Sequence, residues 1–127
     1  MAGERVLIVE DNQMNLELAR DLLEMSGYLV QHAETAELGI QVAKAELPDL
    51  ILMDISLPGM DGLEATRLLK ADSATQDVPV IALTAHAMKG EQERSLAAGC
   101  VGYISKPIDT REFAKEVARY IDRSSPT

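Results

Sequence analysis

LILMDISLPGMDG, Leu50 to Gly62, decides how this chain folds. Four apolar residues end on a single carboxylate, Asp54, and only then does a turn-forming run begin, with Pro58, Gly59 and Gly62 in it. An apolar run of that length with no polar alternation reads as a strand buried on both faces, as in a parallel sheet covered by helices. Outward from it the same unit repeats. Arg5 to Val9 is a first strand, and Met14, Leu18, Leu22 and Met25 follow at helical spacing until Gly27 stops the helix. Tyr28 to Ala33 is a second strand. Thr35 then caps a helix whose Ala36, Ile40, Ala43 and Leu47 share a face up to Pro48. After the third strand, Leu50 to Met53, Asp61 with Glu64 three residues on opens a helix through Leu68, Leu69 and Ala71. Val78 to Leu83 is a fourth strand, KGEQERSLAAG a short helix, and GYIS a fifth strand. Asp109 and Glu112 repeat the capping spacing ahead of a last helix lined by Phe113, Val117, Tyr120 and Ile121. Strand then helix, repeated along the whole chain, predicts an α/β fold with a doubly wound, five-stranded parallel sheet. The expected organisation is one domain over residues 1–123, a short tail at 124–127 and no effector domain.

The bulk numbers fit that reading. At 127 residues and 46% hydrophobic content, the chain can build one core. Acidic side chains outnumber basic ones 21 to 12, for a net charge of −9, which disfavours nucleic acid and anionic membranes as partners. One cysteine, Cys100, in an apolar context, reads as a buried free thiol and fits a reducing, cytoplasmic setting. No stretch has the length of a signal-peptide core or a membrane span. Met14, Met25 and Met53 read as core residues, and His32 as structural.

In a parallel sheet the residues at the strand ends collect on one edge, where open α/β folds bind ligands. Glu10 and Asp11 follow the first strand, Asp54 the third, Thr84 the fourth, and Lys106 with Pro107 the fifth. Carboxylates sharing a small space raise one another's pKa, so the cluster needs a cation. Lys106 is one candidate; a hard divalent ion such as Mg²⁺ is the other, since it takes one or two carboxylates and leaves room for water and phosphate. Under that reading Thr84 hydrogen-bonds a phosphoryl oxygen and a carboxylate is the nucleophile that forms an aspartyl phosphate. Taken singly, each residue has a plainer reading: helix entry for Glu10 and Asp11, a turn for Asp54, a strand end for Thr84, surface charge for Lys106. Together, on separate strand ends, they point to one site.

The runs LIVEDN, DLILMDISLPGMDGLE, PVIALTAHA and GYISKP, in this order and spacing, resemble the receiver domain of two-component response regulators, over about Arg5 to Ile121. The resemblance implies a flavodoxin-like (βα)5 fold with strand order 2-1-3-4-5. It implies phosphorylation of Asp54 by a sensor histidine kinase or histidine phosphotransfer protein. It implies Mg²⁺, with Mn²⁺ as a substitute, held by Asp11, Asp54 and the Ser56 carbonyl and reached by Glu10 through water. Thr84 and Lys106 would bind the phosphoryl group, the Lys106–Pro107 peptide would be cis, and Tyr103 would be an aromatic switch. The expected output is a downstream protein target, met on the face of the fourth helix, fifth strand and fifth helix. Asn12 and Asn15 resemble the opening of stand-alone regulators and of receivers in hybrid kinases. His86 lies where such domains tune access of hydrolytic water, and a solvated loop histidine fits that position equally well.

Two enzyme or carrier readings share parts of the pattern. A haloacid-dehalogenase-like phosphohydrolase needs a second Asp two residues past the nucleophile, where this chain has Ser56. A flavin carrier needs a phosphate loop after the first strand, where EDNQMN would repel it. The function expected is therefore a stand-alone, Mg²⁺-dependent response regulator and not a conventional enzyme. A phosphorelay intermediate or detached hybrid-kinase receiver is the alternative.

Overall fold

The apolar runs form strands because only a sheet lets every side chain of such a short run be buried while its backbone groups stay paired. The computed structural model describes residues 3–57, 59–85 and 89–124, with side chains described to 121 except at 89. Its elements are β1 (Arg5–Val9), α1 (Gln13–Met25), β2 (Leu29–Ala33), α2 (Ala36–Glu46), β3 (Leu50–Asp54), α3 (Gly62–Ala71), β4 (Val80–Thr84), α4 (Lys89–Ala98), β5 (Gly102–Ser105) and α5 (Phe113–Ser124). The strands pair in parallel in the order β2-β1-β3-β4-β5, as expected. All five residues of β3 and of β4 are buried. Asp54 and Thr84 are the last residues of their strands, which end one residue later than the sequence suggested, and β4 begins at Val80, not Val78.

The sheet divides the interior in two. One core lies between the sheet and α2, α3 and α4, around Leu7, Val9, Ile51, Met53, Leu63 and Leu69. The other lies under α1 and α5, around Val6, Ile8, Leu16, Leu52, Phe113 and Val117. The alternation of β1 explains the split, since successive side chains point to opposite faces. Cys100 is a buried free thiol in the first core, its pKa raised by burial. Phe113, Val117 and Ile121 are buried and Tyr120 packs beside them, as the spacing of α5 predicted.

Several expected faces are wrong. Met14 and Met25 are 81% and 84% exposed, and α1 buries Leu16, Ala19 and Leu23 instead. Two stripes of α1 are apolar enough to face a core. Asn12 caps the helix by accepting from the Asn15 amide at 3.0 Å, and the helix it starts turns the second stripe toward the sheet. Leu47 is not on the α2 core face: it caps the helix with φ 47 and is exposed, so Gly39 joins Ala36 and Ala43 inside. The third helix runs through Leu68, Leu69 and Ala71 as read, with Leu68 exposed and Leu69 buried. Tyr28 is buried but precedes β2, and His32 points outward from that edge strand. The last helix continues through Ser124, one residue into the expected tail.

The caps at Thr35 and Asp61 are as read, accepting from the Leu38 and Glu64 amides at 3.1 and 2.8 Å. Asp109 works differently: its carboxylate takes the Arg111 amide, and its carbonyl takes those of Glu112 and Phe113. Pro58 and His86 lie outside the described residues.

Candidate functional site

Parallel register brings the strand ends level. Asp54 pairs with Leu83, Thr84 with Ser105, and the Lys106 amide donates to the Thr84 carbonyl at 2.7 Å. Glu10, one residue past β1, donates its amide to the Ala33 carbonyl at 3.0 Å. The backbone ladder itself thus delivers Glu10, Asp54, Thr84 and Lys106 to one edge. Gly62 lets α3 start close by: a side chain there would run into the Asp54 carbonyl and approach the Ile55 Cα to 2.8 Å.

Glu10 and Asp54 are 2% and 3% exposed, whereas Asp11 is exposed. Lys106 Nζ lies 2.8 Å from Glu10 Oε1 and 3.2 Å from Asp54 Oδ2, bridging the two buried carboxylates. The peptide that follows it, Lys106–Pro107, is cis as expected. The other Asp54 oxygen, Oδ1, accepts the Ser56 amide at 2.9 Å, and Glu10 Oε2 accepts the Asn12 amide at 3.2 Å. Asp54 is thereby held from both sides with its carboxylate fixed in direction.

Charge balance in this pocket is incomplete. Burial pushes the Glu10 carboxyl up to about 7, the Asp54 carboxylate pushes it the same way, and the Lys106 ammonium pulls against both. For Lys106, burial lowers the pKa, but Glu10 and Asp54 override that and hold it above the ordinary lysine value. One oxygen each of Glu10, Asp11 and Asp54 lie within 4.8 Å of one another. An all-oxygen donor set of three carboxylates sharing one ammonium fits a hard divalent cation.

Of the residues singled out in the sequence, Glu10, Asp11, Asp54 and Lys106 therefore form one cluster. Ser56 meets Asp54 through its amide. Thr84, 1% exposed, is tied to Lys106 through the backbone, but its hydroxyl donates to Glu91 Oε1 in the first turn of α4 at 2.7 Å. Tyr103 is in register with Ala82 and packs, partly buried, on the core beneath α3 and α4. Sequence reasoning missed two members. Asn12 was legible as a preferred cap type whose amide then faces Glu10. Glu91 carried no signal, because an acid in a first helical turn is commonplace.

Comparison with known proteins adds to this geometry. The family model of the response regulator receiver domain matches residues 6–118. The polar-differentiation response regulator DivK of Brucella ovis is 47% identical over 116 residues, which cover 91% of this chain and 94% of that one. Among solved structures, the receiver domain of sensor histidine kinase PA1611 from Pseudomonas aeruginosa PAO1, with a magnesium ion coordinated in its active-site cleft, superposes with a TM-score of 0.87 at 37% identity, covering 95% of this chain and 99% of that one. A CheY-like response regulator receiver domain protein from Methanospirillum hungatei gives 0.87 at 32% identity over 97% of both chains. With the strand order, the carboxylate cluster and these likenesses agreeing, the chain belongs to the response regulator receiver domain family of two-component signalling.

Proposed function

We propose that Asp54 is the phosphoacceptor of a cytoplasmic response regulator and that the phosphoryl group comes from a sensor histidine kinase or a histidine phosphotransfer protein. The observation that carries this is the placement of Asp54. It is the last residue of a fully buried strand, its carboxylate is fixed by the Ser56 amide, and Lys106 lies 3.2 Å away. In the transfer, an Asp54 oxygen forms the new bond to phosphorus as the bond to the donor's nitrogen or oxygen breaks, and the leaving group takes the electron pair. Lys106 would neutralise the incoming phosphoryl oxygens, and Thr84 would donate to one of them. Asp11, Asp54 and the Ser56 carbonyl, with Glu10 alongside, would hold Mg²⁺, which when bound offsets the negative charge of carboxylates and phosphoryl group together. Tyr103, on the strand between α4 and α5, would pass the change to a protein target on that face. The domain on this reading is a phosphoacceptor and not a conventional enzyme.

Two output roles have support. Likeness to DivK along 94% of that regulator favours a stand-alone switch. Likeness to the receiver of a sensor histidine kinase at 37% identity favours a relay or hybrid-kinase receiver. Among the described residues no helix is long and apolar enough to cross a membrane.

Incubation with acetyl phosphate and Mg²⁺, read by intact mass, is expected to add one phosphoryl group that hydroxylamine removes. The gain is expected to vanish in Asp54→Asn and in EDTA. No gain in the wild-type protein, or a gain that survives in Asp54→Asn, refutes the assignment. Onward transfer from the charged protein to a histidine phosphotransfer domain separates relay from stand-alone output.

A further inference from the structure

Thr84 has one hydroxyl proton, and the structure shows where it goes. Thr84 Oγ1 donates to Glu91 Oε1 at 2.7 Å. Thr84 ends β4 beside Asp54, and Glu91 lies in the first turn of α4. The bond therefore joins a helix to the strand end at the site. The described part of α4 buries little apolar surface. Among its described side chains only Ser95 and Ala98 are buried; Leu96 is 53% exposed, and the Ser95 hydroxyl is taken up by the Glu91 carbonyl of its own helix. On the other side of the sheet, α5 inserts Phe113, Val117 and Ile121. A helix with so little apolar anchorage depends on its polar ties, and a charge-assisted bond at its first turn is a strong one.

We propose that Glu91 is a positioning residue: its carboxylate holds the Thr84 hydroxyl, and with it the first turn of α4, in the resting arrangement, and competes with a phosphoryl group on Asp54 for the same proton. The inference rests on the phosphoacceptor reading of Asp54 and deepens it by naming what must let go. One proton cannot serve two anions. Charging Asp54 breaks the Thr84–Glu91 bond and frees the start of α4, and weakening that bond beforehand favours the charged state by the same free energy. Glu91 thus sets both the resting position of α4 and how readily the site accepts its group.

The test is a titration with beryllofluoride, an acyl-phosphate mimic, at saturating Mg²⁺, followed by amide cross-peaks in proton–nitrogen NMR spectra. Glu91→Ala is expected to half-saturate at roughly fivefold to tenfold lower beryllofluoride than wild type. Glu91→Gln, which keeps a weaker neutral acceptor and the helix, is expected to fall between them. Before beryllofluoride is added, the amides of the first α4 turn are expected to exchange faster in Glu91→Ala. In a Thr84→Ala background, Glu91→Ala is expected to leave half-saturation unchanged, a result that a general loosening of α4 would not produce. Equal half-saturation for wild type and both Glu91 variants, or the same gain with and without the Thr84 hydroxyl, overturns the latch alone. A wild-type protein that gives no Mg²⁺-dependent response overturns the phosphoacceptor reading and the latch with it.

Discussion

Replacing Glu10 by glutamine in the metal-free protein isolates the cost of the acidic cluster. The Glu10 carboxyl titrates at about 7 in the folded protein against 4.5 for the ordinary side chain. Folding therefore favours the protonated form, so the stability linked to Glu10 is fully present below about pH 4.5 and is lost as pH rises through about 7. Each unit of difference corresponds to about 1.4 kcal/mol. Between about pH 5 and about pH 8 the wild-type protein is therefore expected to lose on the order of 2 kcal/mol that Glu10→Gln retains. The comparison cancels the titrations of groups remote from Glu10, and the Lys106 ion pair, which forms as Glu10 loses its proton, is part of the measured difference. Urea denaturation at both pH values in EDTA measures it. Saturating Mg²⁺ is expected to shrink the wild-type loss, because the ion stabilises the ionised folded state. Parallel pH dependences for the two proteins in EDTA would refute the reasoning, since the buried carboxyl would then carry no excess cost.

Two other substitutions probe the frame around Asp54. Lys106→Met leaves two buried carboxylates facing each other and is expected to cost about 3 kcal/mol at pH 8 by urea denaturation. At about pH 5, where Glu10 holds its proton, the loss is expected to be clearly smaller. Equal losses at both pH values would show that Lys106 packs without neutralising. Gly62→Ala forces a methyl group against the Asp54 carbonyl and the Ile55 Cα, and is expected to destabilise by about 2 kcal/mol and slow acetyl phosphate labelling. Unchanged stability and labelling rate would mean that α3 moves aside without effect on the site.

The fold was legible because β1, β3 and β4 each carry four consecutive apolar residues, a pattern that few architectures other than a helix-covered parallel sheet can bury. The site was legible for a related reason: strand ends in such a sheet must converge, so Glu10, Asp11, Asp54 and Lys106 could be grouped before any distance was known. Helix faces were less so. In α1 both stripes are apolar, and the choice of Leu16, Ala19 and Leu23 over Met14, Leu18 and Met25 is made by the sheet and the Asn12 cap, which spacing alone does not encode. Leu47 looked like a core position because its left-handed backbone is a tertiary outcome at a residue that usually avoids it. Glu91 was invisible because its partner sits across a loop, and only the distance between Thr84 and the first turn of α4 reveals it.

The sheet that separates the two cores also acts as a wall between two surfaces. Close-packed interiors carry strain to the side chains they touch, and here those on the α4 side are a different set from those under α1 and α5. Repacking beneath α4 can therefore proceed while the α1 surface keeps its shape. A substitution buried in one core is therefore expected to leave the packing of the other as it was, with only the five strands in common.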